Sequence, residues 1–146
     1  MSIIVTDAGF SKDELADRRL TLTIEALREA DRNDLPGEFA LSLANDADPD
    51  EIAPFFAWIR LIVIPFPSFA DGRGFSLARR LRQLGYTGQL RAAGHVIADQ
   101  YAHARRVGFD EVEIDADLAA RQPESQWRAR AAWRDHDYQK RLRAVA

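Results

Sequence analysis

From residue 38 onward the chain alternates short, apolar, β-prone runs with stretches of helical spacing, and no other feature restricts its fold as much. Such alternation is the signature of a parallel sheet joined by crossover helices. Four units are predicted. The first strand is Phe39 to Ala44, after which Asp48 is placed to cap a helix with Pro49 at its first position and Asp50 and Glu51 in its first turn. The second, Ile59 to Ile64, is nearly all apolar, as a central strand covered on both faces would be, and Pro65 and Pro67 are expected to end it. Ser76 to Leu84 places Leu77, Leu81 and Leu84 on one face of a helix that closes at Gly85. Gln89 to Ala93 is the third strand, Val96 to Val107 a helix stopped by Gly108, and Phe109 to Ile114 the fourth strand.

The ends are less regular. Residues 123 to 143 read as a C-terminal helix that packs Trp127, Trp133, Tyr138 and Leu142 on the domain. Exposure of Trp127 or Trp133 would instead favour a homodimer. Near the N-terminus, Ile3 to Val5 suggests a strand, Leu20 to Ile24 admits either a strand or a helix start, and Ser11 with Glu14 has the spacing of a helix capping box. The expected fold is therefore a single α/β domain over residues 1–146, a mainly parallel sheet of about five strands with crossover helices. Alternation alone leaves open whether that sheet is open or barrel-like.

Composition removes several functions. The 146 residues carry a formal charge of -3, which disfavours a dedicated nucleic-acid binder, and no cysteine, so the chain has no disulfide, thiolate metal site or cysteine nucleophile of its own. No apolar stretch approaches the ~20 residues of a membrane span, and the N-terminus lacks the basic start and apolar run of a signal peptide, so a cytoplasmic setting is expected.

In parallel open sheets, ligands gather beyond the carboxyl ends of the strands. The residues expected at that edge are Asn45 and Asp46, Asp71 to Gly74, Gly94 and His95, and Asp115 and Asp117. The Asp71-Gly72-Arg73-Gly74 loop is the most distinctive, because two glycines bracket an arginine just before a helix start. Free backbone N–H groups and a guanidinium fork suit a small oxyanion, whereas an Asp71–Arg73 pair that merely stiffens a tight turn is the competing reading. Asp71 and Asp99 are the carboxylates placed to carry a proton. Arg91 is a charge inside a strand, which marks either an edge, a cleft or a paired structural arginine.

Two metal patterns fail. His95, Asp99 and His103 are four apart but fall on the helix face opposite Ile97, Tyr101 and Ala104, and Asp46-x-Asp48-x-Asp50 has Glu51 and Ala57 where a calcium loop needs glycine and glutamate. No metal and no cofactor is expected.

The stretch Phe66-Pro67-Ser68-Phe69-Ala70-Asp71-Gly72-Arg73-Gly74-Phe75-Ser76-Leu77-Ala78-Arg79-Arg80-Leu81-Arg82 resembles the bacterial family called domain of unknown function 934. The likeness continues through Gly85 to Gln100 and Arg106 to Ile114, a core of about residues 37 to 115. The matching positions are Asp71, Gly72, Arg73, Gly74, Arg91, Gly94, Asp99 and Gln100, while His95 stands where the family usually has an acid. Members of the family are commonly described as oxidoreductases of sulfite reduction, a description that rests on genes lying beside sulfite reductase genes. The resemblance thus implies a role in assimilatory sulfite reduction. An accessory protein is expected to bind a small oxyanion or a sulfite reductase partner at the sheet's carboxyl edge, through Arg73, Arg91 and the N–H groups near Gly74. An enzyme acting at the same cleft and a purely structural subunit are the alternatives.

Overall fold

The computed structural model describes residues 2–13, 20–31, 33, 35 and 37–136. These build one seven-stranded sheet in the order β2-β1-β7-β6-β5-β4-β3. The strands are β1 (Ser2–Thr6), β2 (Gly9–Lys12), β3 (Thr21–Thr23), β4 (Phe39–Ser42), β5 (Ile59–Phe66), β6 (Gln89–Gly94) and β7 (Glu111–Asp115). Helices α1 (Ile24–Glu29), α2 (Pro49–Ile52), α3 (Arg73–Gln83), α4 (Tyr101–Val107), α5 (Ala116–Arg121) and α6 (Glu124–Arg128) complete it, with 3-10 turns at Ala53–Trp58, Ala98–Gln100 and Trp133–His136. The strands number seven where the sequence predicts about five. Five of the seven, β3 to β7, run parallel, and β1 joins antiparallel to β7 with β2 beyond it.

The parallel strands lie in chain order, so each crossover steps to the next strand in the same direction. Because such crossovers are right-handed almost without exception, a one-way order gathers the helices on one face. Alternation along the strands agrees. Leu41, Ile62, Ile64, Phe66, Leu90, Ala92, Val112 and Ile114 form a single apolar core with Leu27, Leu77, Leu81, Tyr101, Leu118 and Trp127 of the helical layer. Their strand neighbours Leu61, Arg91 and Glu113 point the other way. The sheet is open, since β2 and β3 at its two edges do not pair. A one-way order also has no point where strand order reverses, so the crevice of doubly wound folds is not formed.

Local chemistry sets most boundaries. Asp48 accepts from Asp50 N (3.0 Å) with Pro49 at the first position of α2, as the sequence predicts, although regular helix lasts only four residues before the 3-10 turn. Helices α3 and α4 each end at a glycine with positive φ, Gly85 (102°) and Gly108 (120°).

Pro65 does not end β5, which continues to Phe66. Backbone groups of Val63 face β4, as the bond from Leu43 N to Val63 O shows, so those of Pro65 face the same side. There β4 has already ended at Ser42, and a missing N–H costs no ladder bond.

Two further expectations are corrected and a third is resolved. Ser11 lies in β2, not at a helix cap; Asp7 and Ala8 form the two-residue turn of a hairpin that closes at Gly9 (φ 113°), and Glu14 lies outside the described residues. Leu20 to Ile24 holds both options at once, since β3 ends at Thr23, whose Oγ1 caps α1 by accepting from Ala26 N (3.2 Å). In place of a continuous helix, the described residues from 123 to 136 hold regular helix at Glu124–Arg128 and a 3-10 turn at Trp133–His136; Tyr138 and Leu142 lie outside the described residues. Trp127 is 1% exposed against Tyr101, so it offers no dimer face. No helix among the described residues is long and apolar enough to cross a membrane.

Candidate functional site

The loop between β5 and α3 stands at the carboxyl edge of the sheet, and hydrogen bonds fix nearly all of it. Asp71 N donates to Ser68 O (3.0 Å) and Ala70 N to Ser68 Oγ (3.2 Å), which folds residues 68–71 into a turn. Asp71 then takes four donors. Oδ1 accepts from Arg73 N (3.2 Å) and Nε (3.0 Å); Oδ2 accepts from Arg73 Nη2 (2.9 Å) and from Nδ2 of the buried Asn45 (2.9 Å). Asn45 follows β4, so this one carboxylate ties two strand-end loops together. On the far side, Gln100 Nε2 donates to Phe69 O (2.7 Å) while its Oε1 accepts from Ile97 N (3.1 Å), joining the loop to the turn after β6.

Both readings of the Asp-Gly-Arg-Gly motif meet this geometry. The bidentate Asp71–Arg73 pair braces the turn, and it occupies one edge of the guanidinium; the arginine side chain is still 63% exposed on its other side. The Arg73 hydrogen bonds hold the Asp71 carboxyl far below the usual carboxylate range, with the Asn45 bond adding to the effect. Asp71 is thus ionised at any ordinary pH and is a poor proton carrier. Asp99, the other proton candidate, is exposed and paired with Arg130.

The two glycines differ in cause. A Cβ on Gly74 would lie 2.6 Å from Phe66 Cζ and 3.1 Å from Ile64 Cγ2, so packing of α3 on β5 demands glycine there. Gly72 has φ -88° and nothing closer than Phe75 at 3.8 Å, so the fold does not demand it. Gly94, at φ 116°, is needed because a Cβ would sit 2.7 Å from Phe66 O, the same oxygen that accepts from His95 N (2.9 Å).

Arg91 does not join Arg73. In register it lies opposite Val63, three residues before the Phe66–Gly94 pair at the strand ends, roughly 10 Å back along the strand. Its side chain is 5% exposed on the face away from the helices, where it donates to Asp13 (2.8 Å), Glu113 (3.0 Å) and Glu111 (3.1 Å). It is the paired structural arginine of the sequence alternatives. The expected cleft between Arg73 and Arg91 is therefore not formed.

The His95, Asp99 and His103 line is likewise not assembled. His95 precedes the helix, Asp99 faces Arg130, and His103 lies edge-on to Phe75 (4.7 Å), where desolvation and the Arg106 charge lower its basicity. Among the described residues no group of three His, Asp or Glu could hold a metal ion. A groove of about 1030 Å³ opens at the opposite, amino edge, between Leu20, Phe56, Ala57 and Leu61. Its charges are occupied: Arg60 pairs with Glu38 (3.0 Å), and Arg82 donates to Tyr86 O, Gly88 O, Gly108 O and Asp110.

Sequence reasoning did not single out Phe69. The residue is 59% exposed, on a loop pinned on both sides, and only Leu20 matches it as an exposed large hydrophobic among the described residues. The local signal was an aromatic between Pro67 and Gly72 in a stretch of turn formers. Asn45 was weighed only as a ligand contact, and its bond to Asp71 depends on a strand neighbour 26 residues away.

No curated protein and no solved structure matches the chain. Residues 40–145 match the family described as bacterial protein of unknown function (DUF934), and as that stretch is most of the 146 residues, the protein belongs to the DUF934 family.

Proposed function

We propose that the protein is an accessory component of assimilatory sulfite reduction that docks on the reducing enzyme through its Pro67–Gly74 loop. The observation that carries this reading is Phe69, a large apolar ring held in water by a loop that cannot readily fold it away. An exposed aromatic on a pre-ordered backbone loses little entropy when it enters a partner's pocket, which is how interface hot spots are built. Pathway comes from the family's description and docking from the loop. A redox role of its own fits less well, because the chain has no cysteine and no recognisable cofactor motif.

The test is binding of the intact chain to purified bacterial sulfite reductase by interferometry or calorimetry. Truncating a hot-spot aromatic costs ~2 kcal/mol, so Phe69→Ser should weaken association ~30-fold. Absence of binding by the unaltered chain, or equal binding by Phe69→Ser, sinks the proposal.

A second reading has its own support. The outer side of the Arg73 guanidinium, whose side chain is 63% exposed, is the place for a small oxyanion such as sulfite. It calls for a melting temperature that rises with sulfite, sulfate or phosphate and loses that rise in Arg73→Ala. Asp71 already fills the bidentate edge of that guanidinium, which makes docking the stronger of the two.

A further inference from the structure

The turn after β6 stands between two neighbours. On one side it holds the Pro67–Gly74 loop: His95 N donates to Phe66 O (2.9 Å) and Gln100 Nε2 to Phe69 O (2.7 Å). On the other side the chain between α5 and α6 holds the turn. Gln122 Oε1 accepts from Ala98 N (2.6 Å), and Arg130 pairs with Asp99. Ala98 is 2% exposed, so its N–H has little water to turn to if Gln122 leaves.

Gln122 is itself anchored in the C-terminal segment. Its carbonyl accepts from Trp127 Nε1 (2.9 Å), and Trp127 is buried edge-on to Tyr101. Helix α6 is in turn fixed to the first hairpin, where Glu124 Oε2 accepts from Phe10 N (2.7 Å) and Arg128 Nη2 donates to Ala8 O (3.0 Å). Between this frame and the loop lies a single 3-10 turn, Ala98–Gln100, closed by Gln100 N on Ile97 O (2.9 Å). One turn of that kind holds its shape weakly by itself and depends on the bonds it makes outside.

We infer that the docking loop is tuned from the C-terminal segment through this turn, with Gln100 and Gln122 as its positioning residues. The inference rests on the docking role of Phe69 proposed above. The two glutamines act in different senses. Gln122 serves the turn as an acceptor, since its partner there is an N–H. Gln100 spends its oxygen on Ile97 N (3.1 Å), which leaves its NH2 group to hold the Phe69 carbonyl. The loop is thus fixed by a donor that the turn supplies, and the turn by an acceptor that the segment supplies. Loop order and segment placement form one linked equilibrium. A partner that seats Phe69 steadies the bond to Gln122. Displacement of the segment slackens the loop, so that the cost of ordering it falls on the binding step.

Glutamate at each position separates the two roles, with binding of the full chain to purified sulfite reductase as the measurement. Gln122→Glu still accepts from Ala98 N and should bind as the unaltered chain does. Gln100→Glu keeps the bond to Ile97 N but loses the donor to Phe69 O, and should bind about fivefold more weakly. Gln122→Leu removes the acceptor and should also weaken binding, with faster amide exchange at Ala70 and Asp71 in the free chain, although its own bond is to Ala98. Both losses should largely disappear in the Phe69→Ser background. Docking of the unaltered chain should slow exchange of the Ala98 amide. Equal binding by Gln100→Glu and the unaltered chain, while Phe69→Ser still binds weakly, overturns this inference and leaves the docking role standing. So does a Gln122→Leu chain that keeps both its affinity and its loop exchange rates, or a loss of the same size without the Phe69 ring. Absence of binding by the unaltered chain overturns both.

Discussion

Replacing Arg91 tests the electrostatics of the sheet most directly. Arg91 is 5% exposed and answers three carboxylates, Asp13, Glu111 and Glu113, which are 11%, 12% and 28% exposed. Arg91→Met keeps the aliphatic stem but deletes the guanidinium, leaving three acids facing one another with little water. Removing one partner of a buried ionic network typically costs ~3–5 kcal/mol. With a urea m-value of ~2 kcal/mol per M for a domain of this size, a loss of ~4 kcal/mol lowers the unfolding midpoint by ~2 M. A companion variant separates charge from packing. Adding Asp13→Asn and Glu111→Gln to Arg91→Met neutralises the two most buried acids and leaves Glu113 to the water it already touches. Whole-network replacement is often nearly neutral, so the triple variant should recover at least half of the lost stability. Urea titrations followed by tryptophan fluorescence and circular dichroism give both numbers. A single variant that loses less than ~1 kcal/mol, or a triple variant no better than the single one, refutes the claim that Arg91 is held as a buried counter-ion.

Gly94→Ala forces a side chain into positive φ and against Phe66 O, which costs ~3 kcal/mol and lowers the melting temperature by more than ~5 °C in a thermal scan. Gly72→Ala, by contrast, should cost under ~1 kcal/mol, and weakened binding to sulfite reductase in that stable variant would locate the contact at this loop. For Asp7 the prediction concerns pH. Burial pushes its carboxyl up, but bonds from Tyr101, Trp133 and Arg105 outweigh this and leave it below the ordinary range. A depressed folded pKa gives stability that is full above the unfolded value of ~3.9 and fades as pH falls through the lower folded value. Asp7→Asn should therefore be less stable than the unaltered chain at pH ~7, with the gap closing below pH ~4 in urea titrations.

Elements set by local chemistry were readable in the sequence. The four strand-helix units, the Asp48 cap and the closing glycines of α3 and α4 each depend on residues within a turn or two of one another. What escaped depends on distant pairing. Strand β1 pairs with β7 more than a hundred residues on, and nothing in Ser11 or Phe10 announces that Glu124 will meet their edge. Pro65 misled because its effect turns on where β4 stops. The same holds at the edge loop: the Asp71–Arg73 pair was legible as a local alternative, whereas Asn45, Gln100 and the partners of Arg91 are set by which strands lie side by side. Exposure of Phe69 follows from the bracing around it, which periodicity does not encode.

The pairing of β1 with β7 has a consequence for synthesis. Val5 leaves the ribosome long before Val112, the residue it must lie beside. At ~5–20 residues per second the first hairpin waits ~5–20 s for its neighbour. Throughout that interval the β1 edge that will meet β7 is open to any other strand. The parallel core is equally unfinished, because the chain's first forty residues supply strands to both of its sides, β3 beside β4 and β1 beside β7. Closure of the sheet thus waits for β7, and a chain stopped before β7 presents its earliest strand to chaperones and to other nascent copies.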